Sequence, residues 1–454
     1  MVGPWARPYT QRRSVAWMGG MATFHLGTVA QPFSESASRG TEIGENCRSM
    51  NILMINPVHP RTPHISAVRA WRFAQELASL GHRVVLLTAP LTDEPQEQIT
   101  DFERHNWKTA FVLPCVSEAV GVPKALGWAV FRKLATAVRM LWEGGWQGGW
   151  VRRSVAVAGR FGAAFEPDVV WCTYGKMESV FAARRIAALA GCPWVLDIKD
   201  NWELYVPRGL RRLMVWRTRG WAAVTANAEF TADKARQWQH AVPTVIYSGV
   251  DDAFYERPTA AVSSTTGFRI NLVGSLYHRG YLRGFLIGLR RWAETVVKTA
   301  SSTIELCYMG ADSTMLDEEL KLYPAGVPVR RFGYVDVGEM AVKCQQGAVN
   351  VYIAHSGTFH HKLLELLACG RPLLAVPQED GESRSLARQA GGQLLEAADE
   401  AEVEAGLARI YHDWTNNFAD SVASGVPVHH YSWRNQALRL EAVLKEVISM
   451  EKKI

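Results

Sequence analysis

The chain lacks the cysteine and hydrophobic patterns that mark several protein classes. Its seven cysteines are odd in number and form no C-x-x-C pair, which argues against a disulfide framework and a zinc cluster and fits a reducing compartment. No stretch of 18 or more residues is apolar and without charged residues, so we do not expect a membrane-spanning helix. The formal net charge is only +6 over 454 residues, too small for a protein that binds nucleic acid over its whole surface.

The first 49 residues carry no clear signal of a folded domain. Arg12 and Arg13 precede a mildly apolar stretch, residues 14–30, as in a twin-arginine signal, but His25 and several glycines interrupt it. A compact apolar strand starts directly after Met50. We therefore predict that residues 1–49 are a disordered extension, or precede the true start, and that the folded part begins at Met50.

From Met50 onward, short apolar runs alternate with helical patterns. Ser66 to Leu80, for example, repeats apolar residues at helical spacing, with Ser66 as a suitable N-cap and Gly81 as a suitable C-cap. Most of the apolar runs have no polar alternation, as expected of buried parallel strands. The predicted strands are 51–56, 83–88, 168–172, 193–197, 222–225 and 244–247, then 269–273, 304–309, 329–332, 349–353 and 372–376.

The two series of strands are separated by residues 255–267, which are rich in Pro, Thr, Ser and Ala. Repeated strand-helix-strand units predict doubly wound parallel sheets. We therefore predict an α/β protein with two Rossmann-like domains, at residues 50–255 and 256–428. A last helix over residues 429–454 is expected to pack back on the structure.

Several short motifs occur in a fixed order along residues 50–415. They are Leu80–Val85, Pro167–Val170, Asp197–Trp202, Tyr247–Asp251, Val273–Ser275, Gly333–Val335 and, the densest, Lys362–Pro372. In order and spacing the chain resembles the retaining glycosyltransferases of family four, which have the GT-B fold. The resemblance implies transfer of a sugar, with retained anomeric configuration, from a nucleotide sugar to an acceptor bound between the domains. The first domain would hold the acceptor and the second the donor.

The Lys362 segment predicts a diphosphate site. Ser356 or Thr358 would cap a helix that runs to about Cys369, and its first backbone N–H groups would face an anion. Lys362 would add a positive charge in the first turn. The resemblance implies that Glu365 accepts hydrogen bonds from two ribose hydroxyls. The alternative is a surface Lys–Glu pair on an amphipathic helix.

One position departs from the family. Gly357 stands where the first glutamate of the usual pair is expected, eight positions before Glu365. His355, Ser356 or His360 would then contact the donor sugar, or the activity would be weak or altered. No Cys or carboxylate accompanies the histidines at ligand spacing and no D-x-D triplet occurs, so we expect neither a metal nor another cofactor.

Further donor contacts are predicted in two loops of the second domain. Gly274 and Ser275 follow a predicted strand, and Arg279 lies in the same loop. The resemblance implies that Arg279 grips the diphosphate with Lys362 and stabilises the charge on the leaving group. Tyr334 belongs to another matching motif and is also expected at the donor. The alternative for the Arg279 loop is a solvated connection.

The acceptor is expected at the ends of two strands of the first domain. Residues 56–66 lack the paired glycines of the family, and His64 is the residue predicted there. Asp197 and Asp200 sit at the carboxyl end of a parallel strand, where ligands of such sheets bind. Asp200 would orient or deprotonate the acceptor hydroxyl. The alternative is an N-cap or a salt bridge with a nearby arginine.

Two basic and aromatic segments predict a membrane surface. Residues 120–165 hold seven Lys and Arg against Glu143 alone, interleaved with tryptophans, and a second cluster occupies residues 208–221. We expect a cytoplasmic enzyme, peripheral on the inner face of the plasma membrane, with a lipid-linked or glycan acceptor and no nucleic acid partner. The alternative is solvated basic helix faces over ordinary core aromatics.

Three functions remain open at this point. The first is an active glycosyltransferase in polysaccharide or glycolipid synthesis. The second is a non-catalytic GT-B partner or regulatory subunit, which Gly357 keeps open. The third is a sugar-nucleotide epimerase or hydrolase of the same two-domain form.

Overall fold

The computed structural model describes most of the chain after residue 48. The described residues are 49–62, 64–91, 98–116, 138–139, 141–142, 144–145, 147–174, 176–204, 206–255, 267–296, 303–354, 359–416 and 428–451. The predicted extension, apart from residue 49, therefore lies outside them. So do His355, Ser356, Gly357 and Thr358.

The first domain is built on a parallel sheet of seven strands. These are β1 (Asn51–Ile55), β2 (Arg83–Thr88), β3 (Phe111–Pro114), β4 (Val169–Tyr174), β5 (Trp194–Ile198), β6 (Ala223–Ala226) and β7 (Thr244–Val245). Their order is β3-β2-β1-β4-β5-β6-β7. The uniformly apolar strands β1, β2, β4 and β5 are buried almost throughout, because helices cover both faces of the sheet.

The second domain repeats this plan with six parallel strands. These are β8 (Phe268–Val273), β9 (Ile304–Met309), β10 (Val329–Gly333), β11 (Val349–Ile353), β12 (Leu373–Val376) and β13 (Leu394–Glu396), in the order β10-β9-β8-β11-β12-β13. Each sheet starts in its middle and reverses direction once, between β1 and β4 and between β8 and β11. The prediction of two doubly wound parallel sheets is confirmed, and ligands of such sheets bind where the order reverses.

Helices connect the strands on both faces of each sheet. They are α1 (Ile65–Ser79), α2 (Gly148–Ala158), α3 (Met177–Ala190), α4 (Arg211–Arg217), α5 (Glu229–Gln239), α6 (Arg279–Val296), α7 (Ser313–Leu322), α8 (Val337–Gln346), α9 (Lys362–Ala368), α10 (Gly381–Gln389), α11 (Glu400–Asn416) and α12 (Trp433–Glu451). Short 3-10 helices lie at Ile99–Asp101, Gly162–Ala164, Trp202–Leu204, Arg208–Leu210, Asp252–Phe254 and Val428–Tyr431.

Helix α1 has its N-cap two residues earlier than predicted. Its N-cap is His64 rather than Ser66, and the His64 Nδ1 accepts a hydrogen bond of 3.1 Å from the Ser66 backbone N–H. The imidazole therefore satisfies one of the free N–H groups of the first turn. At the other end Leu80 is the C-cap, and Gly81 follows with a φ of +92°. This left-handed conformation explains the glycine.

Helix α12 packs against the first domain. The ring of Trp433 meets Phe73 of α1 edge to face, with 5.4 Å between ring centroids, and Glu441 Oε1 lies 2.8 Å from His82 Nε2. An added Cβ on Gly249 would come within 2.4 Å of the Trp433 Cα, so only glycine fits at this crossing. The chain thus passes from the first domain to the second near Gly249 and returns at Trp433.

Candidate active site

The carboxyl ends of the strands at the two reversal points are where the ligand cleft of such a fold is expected. Residues 56–64 follow β1, Lys176 follows β4 and Lys199 follows β5 in the first domain. In the second domain residues 274–278 follow β8, and residues 359–361 lead from the β11 side into α9. Of the site residues predicted from sequence, His64, Gly274, Ser275 and His360 lie on these connections, and Asp200 directly follows Lys199.

Glu365 is the centre of a buried charge cluster on α9. The Lys362 Nζ lies 2.7 Å from its Oε2, and the His361 Nε2 lies 3.5 Å from its Oε1. Glu365 is only 7% exposed. Burial by itself would raise the pKa of this carboxyl, but Lys362 and His361 lower it to about 2. A buried carboxylate that stays ionised is a strong acceptor for hydroxyl groups, which a solvated Lys–Glu pair would not be.

Helix α9 is shorter at its start than predicted. It begins at Lys362, and its N-cap is His361, whose side chain makes no capping hydrogen bond. The two predicted caps, Ser356 and Thr358, lie outside the described residues. The predicted end agrees with the structure, because Cys369 is the C-cap and Gly370 follows with a φ of +66°.

The loop after β8 lies against this cluster. An added Cβ on Gly274 would stand 4.0 Å from the Lys362 Cγ. The Tyr308 hydroxyl donates to the Gly274 carbonyl over 3.1 Å, which holds the loop at the end of β8. Further along the loop, the Tyr277 ring lies 5.8 Å from the His360 ring. The structure therefore brings Gly274 close to Lys362, whereas the predicted donor contacts of Gly274 and Ser275 remain predictions.

Arg279 forms ion pairs with a neighbouring helix. It begins α6, and its guanidinium forms ion pairs with Glu318 and Glu319 of α7. Glu319 is buried and also pairs with Arg283, so its carboxylate requires cations beside it. In this structure the charge of Arg279 neutralises a buried glutamate. The predicted contact of Arg279 with the diphosphate remains a prediction.

His360 belongs to a second buried cluster behind α9. Its Nδ1 lies 3.3 Å from the Glu379 Oε1, and the same carboxylate accepts hydrogen bonds from Tyr352 and Ser383. Burial would raise the pKa of Glu379, but the hydrogen bonds from His360 and Tyr352 lower it. No sequence pattern indicated Glu379, because its partners come from three separate segments. A sugar contact by His360 remains a prediction.

Tyr334 lies apart from these clusters. It follows β10, an outer strand of the second sheet, and is 68% exposed. Its predicted contact with the donor remains a prediction.

On the acceptor side, Asp197 is a structural residue. Both carboxylate oxygens are held by Arg69 of α1, at 3.0 Å from Nε and 2.7 Å from Nη2, and the Thr225 hydroxyl donates to Oδ1 over 2.7 Å. Asp197 and Arg69 are both fully buried. The oxygens of Asp197 are already bound within the domain, and its predicted acceptor contact remains a prediction. Asp197 fixes the end of β5 from within the domain.

Asp200 lies at the rim, next to a cation that the sequence analysis missed. The Lys199 Nζ lies 3.1 and 3.3 Å from its two oxygens. The salt bridge that was the alternative interpretation of Asp200 is therefore present, but its partner is Lys199 and not a nearby arginine. Lys199 is buried, and a lysine directly at the end of a buried strand is the signal that would have identified it. The catalytic role of Asp200 remains a prediction.

Lys199 affects the pKa of one histidine in each domain, His64 and His361. Burial lowers the pKa of His64, Lys199 and Lys176 lower it further, and Asp200 opposes them. Burial also lowers the pKa of His361, with Glu365 opposing and with Lys362 and Lys199 adding to the shift. Lys199 is therefore close enough to act on the acceptor loop and on the start of α9 at once.

The basic and aromatic segments divide into core and surface. Trp150 is core, since it is buried and its indole N–H donates to the Thr88 carbonyl over 3.1 Å. Trp142 is 72% exposed and Trp216 is 51% exposed. The Arg217 Nε donates to the Leu141 carbonyl over 3.1 Å, which joins the two segments. Residues 117–137, with the predicted Lys124, Trp128, Phe131, Arg132 and Lys133, lie outside the described residues, as do Glu143 and Trp146.

Two features are absent from the described part of the chain, a metal-binding cluster and a membrane-spanning helix. Within it, no three His, Cys, Asp or Glu side chains are grouped so as to hold a metal ion. The same residues contain no helix that is both long enough and apolar enough to cross a bilayer.

Comparison with known proteins gives one family model that matches part of the chain and many structures of the same fold. Residues 66–248 match the family model of the glycosyl transferase 4-like domain. Sucrose-phosphate synthase from Thermosynechococcus elongatus is similar at 14% identity and a TM-score of 0.63, over 88% of this chain and 99% of that one. HepE from Anabaena, in complex with UDP and glucose, is similar at 14% identity and a TM-score of 0.60, over 87% and 100%.

A third similar structure is a Listeria monocytogenes protein assigned as a UDP-N-acetylglucosamine 2-epimerase. Its identity is 12% and its TM-score 0.53, over 88% of this chain and 97% of that one. No curated protein gives a significant sequence match. At these identities the structural likeness shows the two-domain fold, and the predicted fold class is confirmed.

Proposed function

We propose that this chain, which has the GT-B fold and matches a glycosyl transferase 4-like model over residues 66–248, is a glycosyltransferase that transfers a sugar from a uridine diphosphate sugar to an acceptor hydroxyl. The observation that carries this proposal is the Glu365 cluster. An ionised, buried carboxylate with Lys362 at 2.7 Å lies beside the loop after β8, at the reversal point of the second sheet. This position suits a ribose and a diphosphate.

The roles within the site follow from charge and position. Glu365 accepts hydrogen bonds from the ribose hydroxyls, and the Lys362 ammonium pairs with the diphosphate and stabilises the charge on the leaving group. Asp200 and His64 hold the acceptor hydroxyl on the opposite wall. HepE, which shares the fold, was crystallised with UDP and glucose, and this supports a uridine nucleotide as the donor. No metal is required in this scheme, because lysine supplies the positive charge.

We also propose that the protein binds its acceptor at a membrane surface. Exposed Trp142 and Trp216 lie on two segments that Arg217 joins, and Arg219 stands over the Trp216 ring at 5.2 Å. Tryptophan at the headgroup level and arginine facing anionic lipid suit a peripheral enzyme. We place the activity on the inner face of the plasma membrane, in the synthesis of a glycolipid or polysaccharide with retained anomeric configuration.

Nucleotide binding tests the donor site. The purified chain is heated with UDP, ADP, GDP and their sugars, and we expect UDP to raise its melting temperature. Lys362→Met and Glu365→Gln should abolish the shift. Glu294→Gln is the matched control, because Glu294 forms an exposed pair with Arg290 on α6. Folded protein that no nucleotide stabilises would refute the donor site.

Release of UDP from a UDP-sugar separates the three functions. A transferase releases UDP quickly only when an acceptor is present, with the new linkage and its anomeric configuration read by NMR. A hydrolase or epimerase changes the donor without an acceptor, and the fold shared with the assigned epimerase makes this the second candidate. Tight UDP binding with no turnover would identify a non-catalytic partner.

A further inference from the structure

Three neighbouring loops on the acceptor wall carry positive or hydrogen-donating side chains. His64 follows β1, Lys176 follows β4 and Lys199 follows β5. The three strands are parallel and adjacent in the sheet, with Ile55 opposite Cys172 and Tyr174 opposite Ile198. Their carboxyl ends therefore meet at one edge, and the three side chains start from the same side of the cleft.

Carboxylates balance only part of this charge. Asp200 pairs with Lys199. Within the described residues the ammonium of Lys176 forms no salt bridge, and Lys176 is exposed. The glutamates that follow Lys176 and Lys199 in sequence have other partners. Glu178 is buried and accepts a hydrogen bond from the Gln147 N–H over 3.2 Å, and Glu203 pairs with Lys234 at 2.7 Å.

His64 adds a hydrogen-bond donor to the same edge. Its Nδ1 accepts from the Ser66 N–H at 3.1 Å, so the neutral imidazole carries its hydrogen on Nε2. Burial, Lys199 and Lys176 all lower the pKa of His64, which keeps the ring neutral near pH 7. Such an edge favours an anion, because two ammonium groups stand near it and one carboxylate opposes them.

Resting on the transferase activity proposed above, we propose that the acceptor carries a phosphate group, which Lys176 and Lys199 bind at the carboxyl ends of β4 and β5. Phosphate fits this edge better than a carboxylate, because it offers enough oxygens to both ammonium groups and to the His64 Nε2–H together. A soluble sugar phosphate and a phospholipid headgroup share this chemistry.

Binding of inorganic phosphate tests the site directly. The full chain is first saturated with UDP, so that the diphosphate site is filled, and phosphate is then titrated by calorimetry. We expect Lys176→Gln and Lys199→Gln each to weaken phosphate about five- to tenfold, as for loss of one charge-assisted contact. Lys108→Gln is the matched control. Lys108 is exposed and precedes β3, at the opposite edge of the same sheet.

The outcomes separate this proposal from the donor site. If UDP binds but phosphate does not, or if both lysine variants bind phosphate as Lys108→Gln does, the phosphate site is refuted and the donor site stands. Acetate binding as tightly as phosphate also refutes it. If UDP itself fails to bind, both proposals fall. Glucose 6-phosphate or short-chain phosphatidic acid that binds more tightly than inorganic phosphate, in a lysine-dependent way, confirms the site and names the source.

Discussion

Replacing Glu365 by glutamine should cost most of the affinity for UDP. The variant keeps the shape of the side chain but removes the charge that Lys362 and His361 hold in a buried place. Each ribose hydroxyl bonded to a carboxylate contributes about 1.5–3 kcal/mol, and a neutral amide oxygen retains part of that. A net loss of about 2–3 kcal/mol corresponds to a dissociation constant roughly 30- to 150-fold higher.

Calorimetry with UDP and with uracil measures this effect and locates it. The loss should appear with UDP, whose ribose Glu365 would bind, and not with uracil, which has no ribose. Circular dichroism of the variant checks that it is folded. An affinity for UDP within a factor of three of the parent protein would refute the reasoning. Glu365 would then be a partner of Lys362 that merely stabilises the start of α9.

Three further predictions concern stability and the membrane. Asp197→Asn should lower the free energy of unfolding by about 3–5 kcal/mol, because it leaves the Arg69 guanidinium buried without a counter-charge; urea unfolding measures this, and a change below about 1 kcal/mol would contradict it. The folded pKa of Glu365, about 2, is below its usual 4.5, so its charge stabilises the fold by about 3 kcal/mol above pH 4.5, and this is lost as the pH falls toward 2. The stability difference between the parent and Glu365→Gln should therefore shrink over that range, and a constant difference would exclude the linkage. Replacing Trp142 and Trp216 together by serine should reduce binding to anionic vesicles severalfold, as measured by co-flotation of the protein with the vesicles. Unchanged binding would refute the proposal that these tryptophans form a membrane-binding surface.

The sequence predicted the strands best where they are buried and mostly apolar. The runs Arg83–Thr88, Ile304–Met309 and Val349–Ile353 match the observed strands residue for residue. The strands missed are β3 and β13, at outer positions of the two sheets. They have four and three residues and are only partly buried, so their apolar pattern is too short to distinguish from a loop.

The Lys362 segment was predictable because its chemistry is local. Lys362 and Glu365 lie on one face of a single helix turn, so their contact follows from spacing alone. Arg69 and Asp197 are 128 residues apart, and no periodicity places them together. A strand-end carboxylate therefore looked like a ligand of the cleft in sequence, whereas the fold uses it to hold α1 against β5.

Arg279 shows why a cation in a cleft loop is weaker evidence than its position suggests. A buried carboxylate costs several kcal/mol unless a cation neutralises it, and Glu319, in the second half of α7, is such a group. It takes the guanidinium that the resemblance assigned to the donor. Lys362 is different, because its partner Glu365 lies inside the proposed donor site. Their ion pair therefore keeps the lysine ammonium at that site. Whether such a cation is available to a ligand thus depends on whether its carboxylate partner lies inside or outside the site, and the packed fold sets that position.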